Sequence, residues 1–483
     1  MSNSTKKIKV LKFGGTSVKN PQRISHVAQI VASVSAEYKT IVVVSAMGDT
    51  TDSLVRLAGR CSEKPNPREL DVLLASGEQQ SIALLSIVLS DLDIKAKSFT
   101  GGQLGIITES NYGNAEILSI DSDKIDEAFA NNDVIVVAGF QGVTAAGDIT
   151  TLGRGGSDTS AVAIAAAVGA ELCEIYTDVD GIFTADPNII EGAIQHTRIG
   201  YSDCLEMAAK GAQVIHPRAV ECARENSVAL RVRSVFNPDN CGTEIGADVV
   251  SSPSLVSFGS TPSSSSSFSS SPASARDSIV GVTAVDGFSI LKIEFNSSLI
   301  HSQLIHDTVQ SEVGHVNLIE TFVRPKSLAT KSEAVKSLSE SLLEYIVPSA
   351  TADCSVASYV VSGLNRSSGQ KLVEELADIP GVLNAIVKFE ITCICLVGSG
   401  AKAEVAGSLG SSSTLCSGSL TLLEDWEQKG LLEGLPPSVG ELSVALYVAY
   451  EHSRKVWTSL HEALLPRFQP DGRVCQLSTA GSV

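Results

Sequence analysis

An alternation of strand patterns and helix patterns between residue 8 and about residue 235 constrains the fold more than any other feature. Short apolar runs predict buried strands, and longer stretches with apolar residues three and four apart predict helices with one buried face. Such alternation indicates a mainly parallel sheet with helices on both faces. The predicted strands span residues 10–13, 41–45, 134–138, 172–177 and 228–235, and the clearest helices span residues 24–34 and 158–168.

A serine-rich stretch at residues 251–278 ends this alternation. Such a sequence buries too little apolar surface to offset its ordering entropy, so we predict a flexible linker or a mobile insertion. Beyond it, the order strand, helix, strand, strand occurs twice, which predicts two small α+β modules. We expect a first domain at residues 1–247, a linker at 248–278, and modules at 279–350 and 351–400. Residues 401–483 form an extension that is unassigned or completes the modules, and we predict a helix there at about 439–465.

The composition excludes several classes of partner. A net charge of −18 and a pI of about 4.9 argue against nucleic acid or an anionic membrane as the main partner. We find no apolar run of roughly 18 to 20 residues, and the first strand begins too early to leave room for a signal peptide. Ten scattered cysteines predict reduced thiols and a cytoplasmic location, with Cys393 and Cys395 in the core rather than ligating a metal.

A lysine interrupts the apolar strand in the stretch VLKFGGTSV, residues 10–18. An unpaired ammonium in a buried strand is costly, so the Lys12 side chain either binds an anion or extends past the end of the strand to reach water. Gly14 and Gly15 leave backbone N–H groups accessible to a ligand, and Ser17 adds a hydroxyl. The stretch is therefore a candidate anion site.

The stretch TTLGRGGSDTSAVAIAAA, residues 150–167, places a glycine-rich loop before a predicted helix. Arg154 has the planar fork that grips a carboxylate, unless it is an ordinary solvated loop residue. Asp158 either belongs to the site or is a plain helix N-cap. Because the loop follows a strand and opens a helix, its backbone is suited to binding an anion.

Two further stretches carry chemistry. In YTDVDGIFTADP, residues 176–187, Thr177, Asp178 and Asp180 follow a strand directly. They could hold a ribose, other nucleotide hydroxyls or a magnesium shell, or they form an ordinary turn. In LLASGEQQS, residues 73–81, Glu78 is either the acceptor of a substrate ammonium or a surface charge. The chain has no Walker A pattern, so any phosphate is handled without a P-loop.

Taken in order, these motifs resemble the aspartate kinases of the amino acid kinase family. The resemblance runs from about residue 8 to residue 247 and is carried by the stretches VLKFGGTSV, VVSAMGDTTD, LLASGEQQS, SFTGGQLGIIT, GFQGV, TTLGRGGSDTSAVAIAAA, YTDVDGIFTADP and LRVRSVFN. It implies a three-layer αβα sandwich with a mainly parallel sheet. It also implies transfer of the γ-phosphoryl group of ATP, with Mg²⁺, to the β-carboxylate of L-aspartate. In that family, the reaction opens the pathway to lysine, threonine and methionine.

The resemblance implies roles residue by residue. Lys12 would neutralise charge on the transferring phosphoryl group, and Asp158 would orient the cations around it. The implied aspartate-binding residues are Ser45, Thr50, Glu78 and Arg154, and the implied ATP-binding residues are Lys12, Gly14, Gly15, Ser17, Thr177, Asp178, Phe183 and Asp186. No residue is assigned to a resident metal.

One position departs from the family pattern. The chain reads MAAKGAQVIHP, with Gln213 where the family has a lysine close to the nucleotide phosphates. Glutamine donates a hydrogen bond but brings no charge, so we expect weaker turnover than in the family. Lys210 is either a substitute cation at the ATP site or a solvated helix residue. Gln213 also leaves open a catalytically weak, amino-acid-sensing regulatory homologue.

The carboxyl-terminal modules resemble ACT domains, which are ferredoxin-like α+β units. The turn EFNSSLIHSQ lacks the Pro-Gly pair that is frequent in the family. The resemblance implies a homodimer or higher homo-oligomer and an amino-acid effector, lysine or threonine. A purely architectural role for the modules is the alternative.

Overall fold

The computed structural model describes residues 6–212, 214–247, 280–295, 309, 317–325, 355–362, 364–380, 382–398, 438–439 and 443–464. Their contacts divide them into two units, one formed by residues 6–183 and 195–247 and the other by residues 184–194 and the described residues from 280 onward. The predicted serine-rich linker and Gln213 lie outside the described residues. So does the helix that the strand, helix, strand, strand order of the first carboxyl-terminal module places near residues 301–312, apart from Val309. The domain limits given above stay a prediction.

The amino-terminal unit alternates strands with helices, as the sequence predicts. Its strands are β1 (Ile8–Phe13), β2 (Lys39–Val44), β3 (Ala96–Phe99), β4 (Ile106–Thr108), β5 (Ile117–Ile120), β6 (Val134–Ala138), β7 (Gln141–Val143), β8 (Ile149–Thr151), β9 (Leu172–Thr177), β10 (Arg198–Gly200), β11 (Leu230–Ser234) and β12 (Thr243–Gly246). Its helices are α1 (Pro21–Ser35), α2 (Thr50–Cys61), α3 (Pro67–Asp91), α4 (Ser122–Phe129), α5 (Gly156–Ala167), α6 (Tyr201–Ala209) and α7 (Pro217–Asn226).

The main sheet of this unit has eight strands in the order β10-β12-β11-β9-β1-β2-β6-β3. All its pairings are parallel except that of β11 with β12. Leu11 and Phe13 join a buried core with α1 and α3 on one face. Helix α5 packs on β1 and β9 from the other face, with α7 against it. The predicted three-layer αβα sandwich is confirmed, and each predicted strand coincides with an observed strand to within two residues.

Helix α3 is longer and more apolar than the sequence analysis allowed. It spans 25 residues and is apolar enough that, by length and composition alone, it could cross a membrane. It packs instead against α1, α2 and the strands β3, β6 and β8, and its Asp71 and Glu78 are buried. A long core helix passes the same test of length and composition as a membrane span, so the finding is weak evidence for one.

The carboxyl-terminal unit contains one antiparallel sheet of six strands in the order β14-β15-β13-β16-β18-β17. The strands are β13 (Gly281–Phe295), β14 (Asn317–Pro325), β15 (Ser355–Ser362), β16 (Val382–Val397), β17 (Ser438–Val439) and β18 (Ser443–Ala449), and the helices are α8 (Arg366–Ala377) and α9 (Tyr450–Leu464). Helices α8 and α9 cover separate cores over opposite ends of the long strands β13 and β16. This α+β arrangement agrees with the expected ACT-like modules.

Two predictions were wrong in part. Residues 443–449 form strand β18 and not the start of a helix, because the apolar run Val444–Val448 hydrogen-bonds to β16 and is buried. The structure also places a disulfide at Cys241, so the expectation that every thiol is reduced fails there. Cys393 and Cys395 are buried in β16 as predicted, with their Sγ atoms 3.5 Å apart.

Candidate active site

The carboxyl end of β1 brings Lys12 to the first turn of α5. Lys12 pairs in register with Val43 of β2 and Ile175 of β9, so its position lies deep in the parallel sheet. Its side chain points to the face opposite Leu11 and Phe13, because side chains alternate along a strand. Lys12 Nζ lies 2.5 Å from Asp158 Oδ1, and the two side chains are only 11% and 13% exposed. A cation is thus held by one carboxylate at a strand end.

Asp158 is not the N-cap of α5. The N-cap is Gly155, with φ of 70°, and no side chain caps the helix. Asp158 lies in the first turn, where its charge suits the positive end of the helix dipole. Its Oδ1 accepts no hydrogen bond from any described residue, so the contact with Lys12 is an ion pair without hydrogen-bond geometry.

The turn after β1 packs closely against the turn after β2. Gly15–Val18 form a 3-10 helix, and the Gly48 N–H donates to Gly15 O at 3.0 Å. A Cβ at Gly15 would lie 2.8 Å from Ala46 O, so only glycine fits there. A Cβ at Gly14 would lie 3.5 Å from Lys12 Nζ, which places that ammonium beside the turn. Ser17 Oγ is buried and has no hydrogen-bond partner among the described residues.

Glu78 reaches the end of β2 from α3. Its Oε1 accepts a hydrogen bond from the Ala46 N–H at 2.9 Å, while its buried Oε2 has no partner in the described part of the chain. Helix α3 approaches this closely because Gly77 lies there, where a Cβ would be 2.9 Å from the Ala46 Cβ. Burial raises the pKa of Glu78 to about 7, although the Ala46 hydrogen bond opposes the shift. Glu78 is therefore not a surface charge.

Ser45 and Thr50 border this carboxylate. The Ser45 N–H donates to Phe13 O at 3.1 Å, which continues the strand pairing beyond β2. Thr50 begins α2, and its Oγ1 donates to Met47 O at 2.6 Å. Its Cγ2 would lie 3.5 Å from a Cβ at Gly77, so Thr50 is next to the turn of α3 that carries Glu78. The structure thus groups Ser45, Thr50 and Glu78.

Arg154 occupies a loop with a strongly held backbone. Gly153 and Gly155 on either side have φ of 74° and 70°, a region that L side chains rarely adopt. The His216 ring packs directly on Gly155, where a Cβ would come within 2.1 Å of its Cγ. Arg154 itself is exposed and forms no hydrogen bond or ion pair with any described residue. Its guanidinium is free to bind an external anion.

The residues that the resemblance assigns to ATP binding from the end of β9 onward lie in several different elements. Thr177 Oγ1 donates to Asp178 Oδ1 at 3.1 Å at the end of β9, and Asp178 is exposed. Phe183 pairs with Gln195 in an isolated bridge. Asp186 belongs to the segment 184–194 of the other unit, where its Oδ1 accepts hydrogen bonds from Asn188. Lys210 ends α6 and lies 4.0 Å from Glu206 Oε1.

Sequence reasoning missed Phe140, which follows β6 at the same edge of the sheet. It has φ of 68°, and strain of this kind in a bulky residue clusters at functional sites. Its N–H donates to Ser160 Oγ at 3.1 Å, and its carbonyl accepts from the Leu152 N–H at 2.9 Å. It lies in GFQGV, one of the stretches that carry the family resemblance, but the sequence analysis gave it no role.

Residues 7–234 match the sequence profile described as the amino acid kinase family. The chain is 52% identical over 241 residues to an aspartokinase of Geobacillus stearothermophilus, covering 50% of this chain and 59% of that protein. It is 51% identical over 243 residues to an aspartokinase of Thermus thermophilus, covering 50% and 60%. The chain therefore spans about three fifths of the length of these curated relatives.

Solved aspartokinases share the fold of nearly the whole chain. Escherichia coli aspartokinase III, in complex with lysine and aspartate, superimposes with a TM-score of 0.64 at 21% identity, covering 96% of this chain and 100% of that one. Clostridium acetobutylicum aspartate kinase gives 0.62 at 18% identity, covering 94% and 99%. At these identities the likeness concerns the fold alone. The resemblance inferred from the sequence motifs is confirmed.

The donor groups at the end of β1 fit a nucleotide phosphate. The unpartnered Ser17 Oγ, the side-chain-free Gly14 and the Lys12 ammonium together offer hydrogen bonds and charge to a phosphate. In the described part of the chain, no three His, Cys, Asp or Glu side chains lie together as a metal site. Magnesium bound to a nucleotide takes most of its ligands from phosphate oxygens and water. The residues present therefore fit a metal that arrives with its nucleotide.

Proposed function

We propose that this chain is an aspartate kinase, which transfers the γ-phosphoryl group of ATP to the β-carboxylate of L-aspartate. The observation that carries the proposal is the largely buried ion pair between Lys12 and Asp158 at the carboxyl end of β1. Ligands of open α/β sheets bind beyond this edge. The relatives named aspartokinase, which are about half identical over the family domain, support the same reaction.

Each side chain has a role in this proposal. Lys12 stabilises negative charge that develops on the transferring phosphoryl group, and Asp158 keeps that ammonium in place. The backbone at Gly14 and Gly15 and the Ser17 hydroxyl line the phosphate path. Mg²⁺, when bound with ATP, neutralises charge on the phosphate oxygens and orients them. In the proposal, the remaining nucleotide contacts come from Thr177, Asp178, Phe183, Asp186, Lys210 and Gln213.

Glu78 and Arg154 bind the two α substituents of aspartate. The unpartnered Oε2 of Glu78 accepts the substrate ammonium, and the free guanidinium of Arg154 grips the α-carboxylate in a bidentate manner. Ser45 and Thr50 border the pocket. This arrangement leaves the β-carboxylate unclamped, so it is the group that attacks the γ-phosphorus.

The direct test is formation of aspartyl hydroxamate from aspartate, MgATP and hydroxylamine by the full chain. We expect product with aspartate, and none above background with glutamate. UMP in place of aspartate should give no ATP-dependent phosphorylation. Turnover on glutamate or UMP that exceeds turnover on aspartate would assign a different kinase.

The pH dependence of aspartate binding follows from the raised pKa of Glu78. Below about pH 7 the buried carboxyl group is mainly neutral, and a neutral acid binds an ammonium weakly. We therefore expect the KM for aspartate to fall as the pH rises from about 6 to 8, by up to about tenfold per unit below the pKa. The KM for ATP, measured in the same series, serves as the control. A KM for aspartate that is constant over this range would contradict the role of Glu78.

Weaker turnover caused by Gln213 stays a prediction, because that residue lies outside the described part of the chain. Gln213→Lys restores a cation near the nucleotide phosphates, and we expect kcat to rise or the KM for ATP to fall by about tenfold or more. Steady-state kinetics with varied MgATP measures both. If neither constant changes, Gln213 does not limit turnover. The rival interpretation as a regulatory homologue rests on this residue alone.

We further propose a cytoplasmic enzyme at the start of lysine, threonine and methionine biosynthesis. The carboxyl-terminal sheet would bind lysine or threonine as effector and mediate a homodimer or higher homo-oligomer. The lysine present in the Escherichia coli aspartokinase III structure supports an amino-acid effector. Inhibition assays with each amino acid, together with light scattering, test these points.

A further inference from the structure

Helix α3 carries a second buried carboxylate, Asp71, two turns before Glu78. Asp71 is only 1% exposed, and its two oxygens accept three hydrogen bonds. Its Oδ2 accepts from the Thr151 N–H at 2.8 Å and from the Gly113 N–H at 3.0 Å, and its Oδ1 accepts from Thr151 Oγ1 at 2.7 Å. All of its partners lie outside α3. Asp71 thus joins this helix to the end of β8.

Thr151 is the last residue of β8, three residues before Arg154. The intervening backbone is held as well: the Leu152 N–H donates to Phe140 O at 2.9 Å, and Leu152 O accepts from Arg218 Nη1 at 2.7 Å. A Cβ at Gly153 would lie 2.9 Å from Asn114 Oδ1. Hydrogen bonds therefore hold the backbone at Thr151 and Leu152, while the Arg154 side chain is exposed and forms no ion pair within the described residues.

Asp71 and Glu78 lie on one face of the same rigid helix. Seven residues of α-helix make about 700°, close to two full turns, and rise about 10 Å along the axis. Glu78 contacts the end of β2, and Asp71 contacts the strand that leads to Arg154. Movement of α3 would displace both groups that are proposed to hold the α substituents of the substrate.

We propose that Asp71 is a positioning residue, which sets the place of the Arg154 guanidinium by anchoring Thr151 and Gly113 to α3. It does not touch the substrate, and it acts on substrate affinity only through the Arg154 loop. This inference rests on the proposed function, because it uses Arg154 as the carboxylate clamp.

The test compares Asp71→Ala with Asp71→Asn. Alanine leaves two buried N–H donors and one hydroxyl without an acceptor, so the loop loses its anchor. We expect the KM for aspartate to rise at least about tenfold, with the KM for ATP changed less than about twofold. Asparagine keeps an oxygen for both N–H groups and offers an N–H to Thr151 Oγ1, so the KM for aspartate should stay within about threefold of the parent.

Arg68→Ala is the matched control. Arg68 lies one turn before Asp71 on α3, and its Nη2 donates to Asp148 Oδ1 at 2.9 Å without contact to Thr151. It joins the same helix to the same hairpin but does not hold the Arg154 loop, so its loss should leave both KM values unchanged. A loss of kcat alone in Asp71→Ala, with the KM for aspartate unchanged, would show a merely structural role and overturn the proposal.

A double-mutant cycle shows whether Asp71 acts through Arg154. In the Arg154→Ala background, Asp71→Ala should add less than about twofold to the KM for aspartate, because the group it positions is gone. Full additivity would overturn the proposal.

Should Asp71→Ala fail to fold, Thr151→Val removes only the hydroxyl donor, and we expect a rise of about threefold in the KM for aspartate and none in the KM for ATP.

Amide hydrogen exchange separates failure of this inference from failure of the proposed function. An inactive parent chain would contradict the proposed function. Even then, the exchange rates of the Gly113 and Thr151 N–H groups test whether Asp71 anchors the loop. Both groups should exchange at least about tenfold faster in Asp71→Ala than in Asp71→Asn. Equal exchange rates in the two variants would overturn the anchoring itself.

Discussion

Lys12→Met is expected to lower kcat for aspartyl phosphate formation by about 10³-fold. Lys12 is the buried cation that faces the phosphate path, and methionine removes its charge while keeping an unbranched apolar side chain in the same space. The transition state then loses a fixed charge worth about 4 kcal/mol. Initial rates of hydroxamate formation at saturating aspartate and MgATP measure the effect.

Lys9→Met is the matched control for this variant. Lys9 lies on the same strand but on its other face, where its Nζ is 4.1 Å from the Tyr38 ring centroid and 4.0 Å from Glu174 Oε1. Its loss should leave kcat within about threefold of the parent, since contacts of this kind contribute about 1 kcal/mol. Lys12→Met with a folded structure and a kcat equal to that of Lys9→Met would refute the role of Lys12.

Glu78→Gln should lose activity and gain stability. We expect kcat/KM for aspartate to fall by about 10²-fold, since a charged hydrogen bond to the substrate ammonium is worth about 3 kcal/mol, and the KM for ATP to stay unchanged. The Glu78 pKa rises from 4.5 to about 7 on folding, so the folded state binds the proton more tightly. The stability that comes from this tighter proton binding is fully present below about pH 4.5 and is lost as the pH rises through 7.

The gain in stability is therefore pH-dependent. Above pH 7 the buried carboxylate costs about 3 kcal/mol, and the glutamine side chain of the variant would avoid that cost while leaving an amide N–H unpaired at about 1 kcal/mol. Urea unfolding should show the variant about 2 kcal/mol more stable at about pH 8 and no more stable at about pH 4. Glu69→Gln, an exposed change on the same helix, should shift stability by less than about 0.5 kcal/mol at either pH. A variant that is no more stable than the parent at the higher pH would contradict a costly buried charge.

The strand ends of the amino-terminal unit could be predicted because their patterns are local. Continuous apolar runs such as Ile41–Val44 are buried on both faces, and the polar residues that follow them must lie at the carboxyl edge of a parallel sheet. Lys12, Arg154 and Asp158 were found in this way, whereas Glu78 was singled out in a helix. The small sheet β5-β4-β7-β8 was not predicted, because its strands have three or four residues and carry too little periodicity.

The role of buried polar residues could not be predicted from pattern alone. Asp71 and Glu78 occupy similar positions in the sequence of α3, and both look like solvent-facing charges of an amphipathic helix. Asp71 has its oxygens satisfied by three hydrogen bonds, whereas Glu78 keeps one oxygen unpaired among the described residues. Strand β18 was also misjudged, because the run Val444–Val448 fits a buried helix as well as a buried strand.

The sequence by itself determined the fold class, the family and the residue types at the strand ends, because these depend on short apolar runs and on motifs in a set order. Only the tertiary structure decided which polar atoms are paired. Asp158 meets Lys12 across 146 residues and Asp71 meets Thr151 across 80, so no local pattern specifies either contact. Whether a buried charge stabilises the fold or is left to bind a ligand depends on such distant partners, and these come together only when the sheet and its helices pack.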